Sequence, residues 1–319
     1  MRPQFFGEKM TIDFSDPLYY FFPLAGGAFF VALYFLLRHR SARTQNIVLF
    51  ALLAINFALH FLKLLFPPYS TQDPAAALQK ITPENICAIN TMLFPFFFLK
   101  KGGVGCDFMF YVGLISGIAA CWMPDSIADC TPFDFDCIRY YYCHTVLWVV
   151  PLLMAIFRLH ALNYRRIIFV PLIYILELVV IVANEVALVA LGLDQLKYLL
   201  SVDHGNGGLA FGPYSDLEGT AAIEFLLALV PPFFKPSAEN PYYTPAVWQL
   251  FPAVILGCPL GFLMCLYWEY KHFSSDVKRL FAFICGKLNK YRFGRSKIKF
   301  GGAEKGAARV HRIKTKRAY

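Results

Sequence analysis

Apolar residues along this chain gather into seven stretches, at about 19–37, 47–66, 81–99, 108–122, 140–157, 167–191 and 246–267. Helices of about 20 residues cross the roughly 30 Å of bilayer hydrocarbon, and these stretches approach that length. The expected fold is therefore all-α, a polytopic membrane protein of about seven transmembrane helices. A further apolar stretch, 223–234, runs only twelve residues, carries Glu224 and ends in Pro231-Pro232. It is too short for a span and reads as an interfacial or re-entrant piece of a long loop, 192–245. That loop also holds the turn-rich His204-Gly205-Asn206-Gly207-Gly208, and loops of such length often act as lids.

Composition agrees, because 58% hydrophobic against 16% charged residues is too apolar for a soluble domain. The positions of Lys and Arg set the orientation. Arg38, Arg40 and Arg43 follow the first stretch, Lys100 and Lys101 the third, and Arg158, Arg165 and Arg166 the fifth, with fifteen more from Lys271 onward. The loop between the fourth and fifth stretches is acidic instead, with Asp125, Asp129, Asp134 and Asp136. The N-terminus is thus expected outside and the C-terminus in the cytoplasm. Met1 to Pro17 shows no cleavable signal pattern, since no apolar core precedes the first span.

The domain plan that follows is an outer N-terminal segment (1–18), a seven-helix transmembrane domain (19–267) and a basic cytoplasmic tail (268–319). The net charge of +9 is owed to that tail, where Asp276 and Glu304 are the only acids from Lys271 onward. Within it Val277, Leu280, Phe281, Ile284, Leu288 and Tyr291 repeat at helical spacing, with Lys278, Arg279, Lys287 and Lys290 on other faces. An amphipathic helix over about 276–291 lying on the anionic inner leaflet is expected, and nucleic acid is not the natural partner.

Nine cysteines show no paired metal-ligand spacing, and no Walker or Rossmann pattern is present, so neither a metal nor another cofactor is expected. Cys130 and Cys137 share one outer loop and can bridge if that side is oxidising. Polar residues inside spans carry more information, because they are costly in lipid. Asn56, His60 and Lys63 share a helical face of the second span. Glu84, Asn85, Cys87 and Asn90 open the third, His144 stands early in the fifth, and Glu177, Asn184 and Glu185 lie in the sixth. With alternating directions, Cys87 falls roughly 9 Å and His144 roughly 6 Å below the outer boundary at the helical rise, and His60, Lys63, Asn184 and Glu185 fall within about 10 Å of it.

A histidine beside a thiol activates it as a nucleophile, and an amide or carboxylate can fix the imidazole tautomer. At this depth the accessible electrophile is a lipid ester. Three readings follow. In the first, Cys87 and His144 are catalytic in lipid acyl transfer or lipid-ester hydrolysis, Asn90 or Asn184 orients, and Lys63 lies near a phosphate. In the second, Glu177, Glu185, His60 and Lys63 line a polar binding or transport pathway, although the two halves of the chain show no self-similarity of the kind transporters carry. The third is a structural partner protein whose tail recruits cytoplasmic factors. Gly113-Leu114-Ile115-Ser116-Gly117 lacks the glycine two residues before the serine that a nucleophile motif needs, and reads instead as small-residue helix packing.

The runs Pro83-Glu84-Asn85-Ile86-Cys87-Ala88-Ile89-Asn90, Tyr111-Val112-Gly113-Leu114, Met123-Pro124-Asp125 and Ile138-Arg139-Tyr140-Tyr141 followed by His144 together resemble the YwaF/TMEM164 family of membrane proteins. Those proteins are similar in a Pro-x-His-x-Cys start to one helix, a glycine-bearing helix ending in Pro-Asp, and a His one turn into the next. The resemblance spans about residues 40–190. It implies acyl transfer on phospholipids, as in animal members, with His144 at the family His and Cys87 at the bacterial Cys. Asn85 stands where the bacterial motif has His, and Glu84 where animal members place a reactive Cys; a carboxylate there cannot form the same thioester. The closer match to bacterial motifs implies a bacterial plasma membrane.

Overall fold

The computed structural model describes residues 17–123, 131–204 and 206–314. The helices are α1 (Pro17–Leu37), α2 (Ala42–Leu62), α3 (Pro74–Gln79), α4 (Ile86–Lys100), α5 (Val104–Trp122), α6 (Phe135–Ile156), α7 (Phe169–Ala190), α8 (Ala221–Ala228) and α9 (Leu250–Lys314). No strand occurs among the described residues. Five helices are long and apolar enough to cross a membrane: those covering Tyr19–Leu37, Ala42–Thr71, Val104–Trp122, Phe169–Ala190 and Val247–Cys285. The remaining two long elements, α4 and α6, lie in the interior. The chain divides into two compact units, Met1–Trp268 and Glu269–Tyr319.

Local chemistry sets the helix starts. Ser41 caps α2 by accepting from Thr44 N at 3.2 Å. The Asn85 side chain accepts from Ala88 N at 2.9 Å and starts α4 there. The third apolar stretch, expected from residue 81, is therefore a 15-residue helix beginning at Ile86, and Ile81 to Glu84 form turns ahead of it. An N-cap side chain replaces a missing intrahelical acceptor, which is why the chain enters the helix at Asn85 and not at the first apolar residue.

The core of the first unit is built around α6, whose Val146, Leu147, Val149, Val150 and Leu153 are fully buried. Helix α5 packs antiparallel on it at very close range. A Cβ on Gly113 would overlap the Leu147 carbonyl, and one on Gly117 would lie 2.7 Å from the His144 carbonyl oxygen. Small residues are what let two backbones approach this far. Helix α1 runs parallel to α6, with Phe22 stacked on Tyr141 at one end and Tyr34 on Phe157 at the other.

These directions gather the C-terminal ends of α2, α5 and α7 and the N-terminal ends of α4 and α6 at one end of the bundle. His60 near the end of α2 bonds the Ile81 carbonyl at 3.0 Å, and Asn184 Nδ2 on α7 donates to Thr82 Oγ1 at 3.0 Å. Tyr140 OH on α6 donates to Ala120 O on α5 at 3.0 Å.

The segment after α7 is built of short turns. The eight residues of α8 cover only about 12 Å, so this helix does not cross a bilayer. A buried Asn206 organises the turn-rich part: its Nδ2 donates to Val202 O and Gly212 O, and its Oδ1 accepts from Phe211 N. The next two residues press onto the start of α4. A Cβ on Gly207 would overlap the Glu84 carbonyl, and Gly208, at φ +66°, packs on Ile86 and Leu178. Gln249 Nε2 clamps the turn from the other side by donating to Gly208 O at 2.7 Å. In the second unit the chain is helical to Lys314, with Leu280, Phe281 and Ile284 exposed. The proposed partner of Cys137, Cys130, lies outside the described residues.

Candidate functional site

A cavity of about 560 Å³ opens among the gathered ends of α2, α4 and α6. Cys87 and Thr91 line it from α4, Tyr140, Cys143 and His144 from α6, and His60 from α2. Lys63 and Tyr69 come from the turns after α2. Four of the candidate residues, Cys87, His144, His60 and Lys63, thus share one cavity.

Histidine 144 is held by its own helix. Its Nδ1 lies 2.8 Å from the Tyr140 carbonyl oxygen and its ring is 4.0 Å from that of Tyr140. A carbonyl only accepts, so Nδ1 carries the proton and Nε2 retains its lone pair. Orientation of this ring comes from the Tyr140 backbone, whereas Asn184 is engaged with Thr82. Asn90 is fully buried on α4, and neither of its amide atoms has a hydrogen-bond partner among the described residues. Asn90 and Asn184 therefore do not fix the imidazole in this arrangement.

The mouth of the cavity carries charge in a defined pattern. Arg139 donates to Asp136 Oδ1 from Nε at 2.9 Å and from Nη2 at 2.6 Å, and Tyr69 OH donates to Asp136 Oδ2 at 3.2 Å. Lys80 Nζ and Glu84 Oε2 pair at 2.9 Å. Lys63 has no carboxylate partner among the described residues; it is 5% exposed and sits 5.2 Å from the Tyr69 ring. With the other two cations paired, Lys63 supplies the uncompensated positive charge of the cavity. An anionic group placed there would gain a charge-assisted contact.

Glu185 lies elsewhere. It lines an adjacent cavity of about 430 Å³ on the far side of the Gly207-Gly208 turn, and Lys80, Glu84, Asn85 and Gly208 form the wall common to both. Glu177 is buried in mid-helix with neither carboxylate oxygen hydrogen-bonded among the described residues. The Asp136, Arg139 and Tyr69 network is not among the candidate groups that the sequence singles out. Its available signal was an Asp and an Arg three apart at the start of an apolar helix, a spacing that pairs them on one face.

Comparison with known proteins places these features in a lineage. No curated protein and no solved structure matches the chain. The model of the TMEM164 family matches residues 14–192, which takes in every helix from α1 to α7 and all of Cys87, His144, His60 and Lys63. With more than half of its length covered by that match, the chain belongs to the TMEM164 family, as an all-α membrane protein.

Proposed function

We propose that this protein is a lipid acyltransferase or lipid-ester hydrolase of the membrane, with Cys87 as nucleophile and His144 as base. The observation that carries this reading is the joint lining of one cavity by the Cys87 thiol and a His144 imidazole whose Nδ1 is committed to the Tyr140 carbonyl. Nε2 is then the nitrogen free to take a proton. The thiol proton passes to Nε2 as sulfur bonds the ester carbonyl carbon. The tetrahedral intermediate expels the alcohol, which takes that proton from His144, and the acyl group is left as a thioester on Cys87. An incoming lysolipid hydroxyl or water gives its proton to His144 and attacks the thioester. The Cys87 thiolate leaves and recovers the proton.

Lys63, with Arg139 nearby, stands where a lipid phosphate would be neutralised, and His60 supports the same wall. Glu84, which pairs with Lys80, has an electrostatic role at the mouth and is not a nucleophile. The topology that fits this chemistry has seven crossings, the N-terminus outside and the site in the outer half of a bacterial plasma membrane. Segment 192–245 then forms an outer cover, and the basic tail with its helix over about 276–291 lies on the anionic inner leaflet.

The test is acyl exchange followed by mass spectrometry, with purified protein, isotope-labelled phospholipid and a lysolipid acceptor. Transfer or hydrolysis by wild type, lost in both Cys87→Ala and His144→Ala, is expected. Absence of turnover by folded wild type across several lipid classes would replace this reading with a non-catalytic lipid- or small-molecule-binding or transport role.

A further inference from the structure

The cavity that holds Glu185 is not used by the chemistry above. Its acidic side chains are Glu84, Glu185, Asp194 and Asp203, against Lys80 and the ring of His204. Most of these carboxylates are engaged. Glu84 pairs with Lys80, and Asp194 accepts from Gln195 N at 2.7 Å and faces His204 Nε2 at 3.5 Å. Asp203 accepts from Ser215 N at 2.9 Å and Ser215 Oγ at 2.6 Å, contacts that hold its carboxyl below the usual carboxylate value.

Glu185 differs from them. It is 6% exposed, lines the cavity, and takes part in no hydrogen bond or ion pair among the described residues, the cavity's Lys80 being paired with Glu84. A buried carboxylate without a partner is costly, and a cation in the adjoining space would remove that cost. Two features decide what kind of cation. Among the described residues no three His, Cys, Asp or Glu side chains come together with metal-ligand geometry. The space is also about 430 Å³, far larger than a bare ion needs, and Tyr214, whose OH donates to Asn206 O, is among its lining residues. Negative charge spread over a roomy cavity with an aromatic wall suits a substituted ammonium, which is bulky and weakly hydrated.

We propose that the Glu185 cavity is a binding site for an organic ammonium group, with Glu185 as its counter-ion and Asp194 and Asp203 supplying the surrounding negative field. The group can arrive on a free small amine or on an ammonium-bearing lipid headgroup. Because Lys80, Glu84, Asn85 and Gly208 also wall the Cys87 cavity, a headgroup would enter beside that cavity, but binding itself requires no turnover.

The experiment uses the full-length protein in nanodiscs of phosphatidylglycerol, whose headgroup has no amine, and follows the unfolding midpoint. Choline and ethanolamine, each titrated to about tenfold above its half-saturating concentration, are expected to raise Tm by about 3 °C. Glu185→Gln should lose the shift from an amine-free Tm equal to or above that of wild type, because the uncompensated charge is gone, and Glu224→Gln, on α8, should keep the wild-type Tm and the shift. In a second arm, moving from phosphatidylglycerol to phosphatidylcholine nanodiscs should raise the wild-type Tm more than that of Glu185→Gln if the headgroup is the source, and shift both equally if only free amines enter. A shift in either arm that depends on Glu185 supports the site. No Glu185-dependent shift in either arm, or a shift given by calcium chloride and by neither amine, overturns it.

Discussion

The two ends of the helix bundle differ in how completely their buried ionisable and amide groups are paired. At the end where α5 begins, Asp107 is wholly buried and fully used. It accepts from His160 Nε2 at 2.7 Å and from Arg166 Nε at 2.6 Å and Nη2 at 3.1 Å. Gln45 at the same end donates to the Leu37 carbonyl at 3.0 Å. At the end where α4 and α6 begin, and in the layer beneath it, Asn56 Oδ1, both amide atoms of Asn90 and both oxygens of Glu177 lack partners among the described residues. Lys63 is buried there beside the Tyr69 ring and forms no ion pair among the described residues. Burying such groups costs the same chemistry at either end. Where partners are complete the polar residues hold the fold together, and where they are incomplete the residues carry an uncompensated desolvation cost.

The comparison is tested most severely by removing the two groups proposed to react. His144→Ala is expected to lower acyl turnover by about 10² to 10⁴-fold, the usual contribution of a positioned base, with little change in unfolding midpoint. Cys87→Ala should remove turnover entirely and leave no trapped thioester in intact-mass spectra. A large drop in Tm in either variant would instead move these residues to the structural end of the contrast.

Next in size is the opposite change. Asp107→Ala leaves the Arg166 guanidinium and His160 without their carboxylate, and breaking a buried pair from one side typically costs about 3–5 kcal/mol. Thermal unfolding in detergent should show that loss as a much lower Tm. Any turnover that survives should follow the folded fraction, because Asp107 lies away from the Cys87 cavity.

Gly207→Ala tests the junction between the two cavities. Its Cβ has no room against the Glu84 carbonyl, so the turn must lift from the start of α4. Strain of this sort costs about 1–3 kcal/mol. Reactivity of Cys87 toward a water-soluble maleimide should rise in this variant and stay low in Gly27→Ala, where a Cβ meets nothing within 4 Å and the backbone is helical.

Much of the fold was legible because apolar run length is a strong signal in a lipid solvent. The all-α membrane class and the positions of the long helices follow from it. Boundaries were legible only where capping was considered. The third stretch looked longer than α4 because Ile81 is apolar, yet Asn85 is the residue that satisfies the first free N–H groups. The fifth apolar stretch begins at about 140, whereas α6 starts at Phe135, since Asp136 and Arg139 neutralise each other within the first turns. Helix direction and rise put His60, Lys63, Cys87 and His144 in one layer, but do not show that they line one cavity. Their separation from Glu185 was not legible, because it depends on Gly207 and Gly208, more than a hundred residues from Glu84, folding back over α4. The choice of Tyr140 to orient His144 was equally hidden, since a backbone carbonyl leaves no trace in side-chain identity.

The sharpest form of the contrast asks for the same kind of substitution with opposite signs. Replacing a satisfied buried polar group leaves its partners stranded, whereas replacing an orphaned one removes a desolvation cost and strands nothing. Glu177→Leu and Asn90→Leu are therefore expected to leave the unfolding midpoint unchanged or to raise stability by about 1 kcal/mol. Gln45→Leu, which removes the donor to the Leu37 carbonyl, should lower it by a similar amount. If the orphaned groups serve the site, the stabilised variants will pay in acyl turnover, the familiar trade of stability against activity. Stability gained with turnover intact would mean that Glu177 and Asn90 are merely tolerated. A loss of stability in both would mean that each makes a contact the bundle needs, and the division between its two ends would fail there.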